Sequence, residues 1–209
     1  SPDKPFKTMV VTSSGPQEGK STTVISLGIA MAQSGSRILL LDTDMRRPRL
    51  HKPFGVPNDV GVSSVVVGEG KVEDAIKTTD VPNLFVLPCG PIPPNPAELL
   101  HTKAFQELIQ RLSQQFDRII LDSPPVGAVA DAVVLSTQAD GVLMVLKAGV
   151  THRETARRAI RSLNDVKARL FGAILNDIDP SKARYGDYYG YGYSSYGYYY
   201  GDKKEGTSS

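Results

Sequence analysis

Four short stretches of the chain are apolar almost without interruption: residues 9–11 (MVV), 38–41 (ILLL), 119–121 (IIL) and 142–146 (VLMVL). A strand with one wet face alternates apolar and polar residues. A continuous run instead marks a strand covered on both faces, as in a parallel sheet sandwiched between helices. Residues 84–88 (LFVLP) and 170–175 (LFGAIL) read as two more strands. Between the runs, apolar residues recur at three- and four-residue spacing over 21–34, 97–115, 131–137 and 152–164, the period of a helix with one buried side. Local chemistry marks the start of 97–115: Asn95 suits the N-cap, Pro96 the first helical position, and Glu98 closes a capping box. Strand and helix therefore alternate, which predicts an α/β fold with a mostly parallel β-sheet flanked by helices. Residues 55–80 carry a thin pattern and are assigned to no element.

The first strand runs into TSSGPQEGKSTT and then a helical pattern. A chain turning from a buried strand into a helix N-terminus presents backbone N–H groups and the positive end of the helix dipole, and both attract phosphate. Gly19 lets the backbone approach closely, Lys20 reaches terminal phosphates, and the Ser21 hydroxyl suits magnesium. The strict phosphate-loop pattern wants glycine at position 14, where this chain has Ser14, with Gly15 one residue late. An ordinary glycine-rich turn with an exposed lysine is the plainer alternative.

Two further strands end in carboxylates, Asp42 and Asp44 in ILLLDTDMRRP and Asp122 in RIILDSPP. Ligands of open parallel sheets bind beyond the carboxyl ends of the strands, so these three acids are expected on the edge that carries the phosphate loop. A hard cation bridging phosphate oxygens needs a few protein oxygens, and a spare carboxylate can take a proton from an attacking hydroxyl. A single aspartate after a strand is more often a turn former; the GKS loop shifts that balance for Asp42 and Asp122. Asp140 precedes its strand and belongs to the opposite edge.

Composition narrows the partners. Lys+Arg 24 against Asp+Glu 22 leaves a net charge of +2, too weak a field for an electrostatic nucleic-acid or membrane-surface binder. Cys89 is the one cysteine, so there is no internal disulfide, and a reducing, cytoplasmic setting is expected. No apolar run approaches a membrane span, and the start lacks a signal peptide's apolar stretch, so an excised fragment of a longer protein is expected. His51, His101 and His152 are scattered and predict no metal site. Arg153, Arg157 and Arg161, with Arg158 beside them, read as a solvated helix face or as a docking surface for an acidic partner. All nine tyrosines (Tyr185, Tyr188, Tyr189, Tyr191, Tyr193, Tyr196, Tyr198, Tyr199 and Tyr200) sit in a stretch whose other members are glycine, serine and one aspartate. With nothing aliphatic to bury, 184–209 is expected to be a disordered tail after a domain of 1–183. Residues 185–202 contain none of the interleaved Arg or Lys of a base-stacking platform, so nucleic acid is not expected as a partner.

Taken in order, the phosphate loop SSGPQEGKST, ILLLDTDMRRP, the strand RIILDSPP, the loop LPCGPIPPNPAELL and the tyrosine cluster resemble the bacterial tyrosine kinases. These are cytoplasmic autokinase domains of membrane proteins that control polysaccharide chain length and export. The resemblance implies a P-loop NTPase fold, ATP and Mg2+ as cofactors, and a phosphate cradle of Gly15, Pro16, Gln17, Glu18, Gly19, Lys20, Ser21 and Thr22. It places Ser21, Asp44 and Asp122 around the metal, Asp42 as the base for the tyrosine hydroxyl, and Asn176 against adenine. The tail tyrosines become the phosphoacceptors, mainly between subunits. Implied partners are a homo-oligomeric ring, a transmembrane activator at the inner face of the plasma membrane, and a tyrosine phosphatase. Two departures stand out: Gln17 replaces a frequent glycine, and the E-x-x-R-x-x-R helix that joins subunits is not in this sequence, which leaves ring formation by this chain open. The competing class is a partition or septum-positioning ATPase, a dimerising switch that usually carries an extra lysine early in the loop; SSGPQE has none. A third reading is an adhesive scaffold with a vestigial nucleotide site.

Overall fold

The computed structural model describes residues 5–179. The expected domain boundary at residue 183 and the nine tyrosines lie outside the described residues. Seven strands form one sheet: β1 (Thr8–Ser13), β2 (Ile38–Asp42), β3 (Lys77–Thr78), β4 (Leu84–Leu87), β5 (Arg118–Asp122), β6 (Gly141–Lys147) and β7 (Leu170–Asn176). Their order is β3-β4-β2-β5-β1-β6-β7, and every pairing is parallel except the short edge pair β3–β4. All six anticipated strands are present.

The uninterrupted apolar runs are explained by burial on both faces. Ile38 and Leu40 of β2 pack with Val24 and Ala32 of α1 (Lys20–Gln33), while Leu39 and Leu41 join a second core on the other face. That core takes Leu108 and Leu112 from α5 (Lys103–Gln115), Leu135 from α6 (Asp131–Ser136) and Leu163 from α7 (Arg153–Asp165). Gly28 permits the close approach of α1 to the sheet, since a Cβ there would lie 2.6 Å from Leu40 Cδ2.

Three expectations need correction. The helix expected over 97–115 is two, α4 (Pro96–Leu100) and α5, because Thr102 inside the periodic run is itself an N-cap: its hydroxyl oxygen accepts from the Phe105 N–H at 3.2 Å. The Asn95 side chain caps no backbone group and instead donates to Glu98 Oε2 at 3.0 Å. Residues 55–80 contain α2 (Val62–Val66), α3 (Val72–Ala75) and β3. Helices of one turn are too short to print a period. Their anchor is Gly61, where a Cβ would fall 2.2 Å from the Gly90 nitrogen, so only glycine lets this segment lie against the end of β4.

Candidate active site

β1 delivers the phosphate loop from the middle of the sheet, with β5 on one side and β6 on the other. The loop turns through two left-handed residues, Gln17 (φ 60) and Gly19 (φ 92), and the first turn of α1 has no side-chain cap. The N–H groups that an ordinary N-cap would satisfy are therefore offered to an anion. At Gln17 the chain takes the backbone region that glycine favours, at a modest steric cost.

Glu18 shapes the loop from within. Its buried carboxylate accepts the Ser14 N–H at 2.8 Å, the Gly15 N–H at 3.1 Å and the Ser14 hydroxyl at 2.8 Å, and it also takes the Thr151 hydroxyl from the segment after β6. From β7, Asn176 Nδ2 donates to the Glu18 carbonyl at 3.1 Å. The loop after β5 closes against the same turn: a Cβ on Gly127 would meet the Ser14 carbonyl oxygen at 2.5 Å.

Strand register brings the acids together, with Asp42 directly beside Asp122 across β2 and β5. Lys20 Nζ lies 3.0 Å from Asp44 Oδ2 and 3.1 Å from Asp122 Oδ1, and the Ser21 hydroxyl donates to Asp122 Oδ2 at 2.5 Å. Burial works against the Lys20 ammonium, yet the two carboxylates outweigh it and hold its pKa above the ordinary value. Asp122 is pushed up by burial, with Lys20 and Ser21 opposing. Asp42 is fully enclosed. Its Oδ2 accepts the Arg49 and Leu50 N–H groups at 2.9 and 3.0 Å, and its Oδ1 faces the Asp44 N–H at 3.3 Å. Burial, then the neighbouring Asp122, push its carboxyl up to about 7.

A cleft of about 400 Å³ opens over this cluster, walled by residues 16–22, Ile25, Asp44, Arg47, Arg49, Pro53 and Pro125. Lys20, Ser21, Asp44 and Asp122 are thus gathered at one place. Gly15, Asp42 and Asn176 stand behind the wall and brace it. An uncapped helix start fits phosphate, and the oxygens of Ser21, Asp44 and Asp122 fit a hard cation, which holds few protein ligands when phosphates supply the rest. Among the described residues no cluster of three or more acidic, histidine or cysteine metal ligands forms.

Sequence reading passed over several participants. Arg46 forms a two-pronged ion pair with the fully buried Asp131 at the start of α6, through Nε at 3.0 Å and Nη2 at 3.1 Å. This ties the segment after β2 to the one after β5. Thr151 was equally invisible, because its partner Glu18 is 133 residues away and leaves no spacing to read, whereas Glu18 was expected in the phosphate cradle but not as a carboxylate clamp on Ser14 and Gly15. The RRP of ILLLDTDMRRP was the available signal for Arg46.

The family model described as AAA domain matches residues 9–176. The chain is 41% identical over 197 residues to the tyrosine-protein kinase YwqD of Bacillus subtilis (strain 168), covering 94% of this chain and 79% of that one. It belongs to the bacterial tyrosine-protein kinases. The kinase domain of the Escherichia coli tyrosine kinase ETK superposes with a TM-score of 0.80 at 29% identity, over 82% of this chain and 68% of that chain. The cell division ATPase MinD of Pyrococcus furiosus gives a TM-score of 0.70 at 27% identity, over 83% and 73%. The tyrosine kinase family thus shares its P-loop NTPase framework with the competing ATPase class, and no helix among the described residues is long and apolar enough to cross a membrane.

Proposed function

We propose that this protein is an ATP-dependent tyrosine autokinase that phosphorylates its own cluster between Tyr185 and Tyr200, mainly between neighbouring copies, and so regulates polysaccharide synthesis and export. The observation that carries the reading is the convergence of Lys20, Ser21, Asp44 and Asp122 at an uncapped helix start. The relatives' names supply the reaction class. Magnesium-ATP supplies the phosphoryl group. Residues 15–22 hold its phosphates with backbone N–H groups, Lys20 neutralises the terminal charge, and Ser21, Asp44 and Asp122 hold the cation. Asn176 braces the loop beside the adenine position.

In this reading Asp42 takes the tyrosine proton. The carboxyl, poised at about 7, suits a general base near neutral pH, and its Oδ1 carries the weaker contact. Access requires the segment from Thr43 to Leu50 to swing, since Arg49 and Leu50 bind Oδ2. Each phosphate adds nearly two negative charges to the tail, so accumulated phosphorylation releases it and separates the copies. A transmembrane activator at the inner membrane face and a phosphatase complete the cycle.

The test is intact mass after incubation with Mg2+ and ATP, for the parent and for Lys20→Met. Phosphate increments that map to Tyr185–Tyr200 and vanish in the variant support the proposal. ATP hydrolysis without increments, even with an activating segment restored, favours the switch ATPase to which the MinD likeness points.

A further inference from the structure

The segment after β2 is crowded with positive charge: Arg46, Arg47, Arg49, His51 and Lys52 fall within seven residues. Arg46 is taken by Asp131. Arg47, Arg49 and Lys52 are a different matter, for their side chains are exposed and make no hydrogen bond or ion pair with any described residue. Their backbone is nonetheless fixed. The Arg47 N–H donates to Asp44 Oδ1 at 3.0 Å and the Arg49 N–H to Asp42 Oδ2 at 2.9 Å. Their solvated side chains are therefore free to meet an anion that arrives beside the active site.

Arg47, Arg49 and Pro53 form part of the wall of the phosphate cleft. The same three, with Pro48 and Lys52, line a second cavity of about 570 Å³ that includes no residue of the phosphate loop. Its wall holds three cations, two prolines and no carboxylate. Nucleotide phosphates have a cradle at residues 16–22, and this cavity adjoins the cleft through the shared Arg47, Arg49 and Pro53, where a different ligand can sit. Planar guanidinium groups accept both an aromatic face and a phosphate, and proline rings give flat apolar contact.

We infer that this cavity is the acceptor-side subsite, and that it selects a tyrosine peptide carrying negative charge beside the acceptor, above all a phosphotyrosine. The inference rests on the kinase reading above. Tyr188–Tyr189 and Tyr198–Tyr199–Tyr200 are adjacent in the sequence. Phosphorylation of one member turns its unmodified neighbour into the better substrate, and modification proceeds along the cluster in runs; the release proposed above sets in once no acceptor hydroxyl is left beside the phosphates and their charges repel one another.

The experiment is fluorescence anisotropy of the full chain with two labelled peptides of sequence YGDYYGYGY, residues 185–193, one unmodified and one phosphorylated at the tyrosine of position 188. Exposed ion pairs of modest strength, acting together, give the phosphopeptide about tenfold tighter binding. Arg47→Ala with Arg49→Ala, and separately Lys52→Glu, abolish that preference, while Arg157→Ala on α7 retains it; circular dichroism melts confirm that each variant is folded. Equal binding of the two peptides overturns the subsite. So does loss of the preference in Arg157→Ala, which signals bulk charge, or displacement of the phosphopeptide by Mg-ADP, which assigns the arginines to nucleotide. Displacement by millimolar inorganic phosphate also overturns it, as a site for any anion. Binding is read without turnover. A chain that prefers the phosphopeptide yet transfers no phosphate fails as a kinase alone, and one that phosphorylates its tail yet binds both peptides equally fails only here.

Discussion

Replacing Glu18 tests whether the phosphate loop is shaped by its own buried carboxylate. Glu18→Ala strands the Ser14 and Gly15 N–H groups, which donate to Oε2 at 2.8 and 3.1 Å, and it also removes the acceptor of the Ser14 and Thr151 hydroxyls. The hydroxyls can rotate to other partners, so the cost falls on the two N–H groups. At roughly 1–3 kcal/mol for an unsatisfied buried donor such as the Ser14 N–H, and less for the half-buried Gly15 N–H, a loss of about 3 kcal/mol is expected. For a protein of this size that lowers the melting temperature by about 10 °C. Glu18→Gln separates shape from charge: its amide oxygen can accept both N–H groups while its NH2 turns to the two hydroxyls, so most of the stability returns, within about 1–2 kcal/mol of the parent. Urea unfolding of the three proteins gives the free energies, and calorimetric titration with Mg-ADP shows whether the loop still presents its donors. A loss below about 1 kcal/mol in Glu18→Ala, or a glutamine variant as damaged as the alanine one, refutes the argument.

Other substitutions probe separate elements. Asp42 is shifted from 3.8 to about 7 on folding, so its contribution is fully present below pH 4 and is lost as pH rises through 7, on the order of 4 kcal/mol in all. Without nucleotide, urea midpoints should fall between pH 5 and 8 and Asp42→Asn should flatten that fall; equal slopes in both proteins would show that Asp42 is not responsible. Gly28→Ala gains about 1 kcal/mol of helix propensity but forces a methyl to 2.6 Å from Leu40, so a net loss of about 1–2 kcal/mol is expected by the same unfolding assay. Thr102→Ala removes the cap that starts α5, costing about 1 kcal/mol, with faster amide exchange at Lys103–Phe105 as its local signature.

Much of this fold could be read from its apolar runs, because strands buried on both faces print themselves as unbroken hydrophobic segments. Leu39 and Leu41 face one core, Ile38 and Leu40 the other, and no surface pattern competes. The strand-end acids and the GKS loop were legible for a related reason: in a parallel sheet every strand's carboxyl end meets the same edge. What stayed hidden is set by tertiary neighbours. Thr102 breaks a helix that periodicity alone carries through, and Gly61 docks two short helices with no period of their own. Asp42 looks in sequence like an open catalytic acid, whereas the fold spends Oδ2 on the backbone of the following loop. Arg46 and Asp131 are 85 residues apart, and only the packing of α6 beside β1 makes them partners.

The amide of Asn176 gives the last strand a mechanical meaning. β7 ends at this residue, the chain turns at Asp177 with φ 58, and the Asn176 side chain grips the carbonyl of Glu18. Tension on the residues that follow is shared between that bond and the backbone bond in which the Ala148 N–H donates to the Asn176 carbonyl at 2.8 Å, so part of the load reaches the backbone that cradles phosphate. The last rung of β7 and the phosphate loop are thus loaded together, which makes the end of β7 a place where force can be converted into a change of affinity.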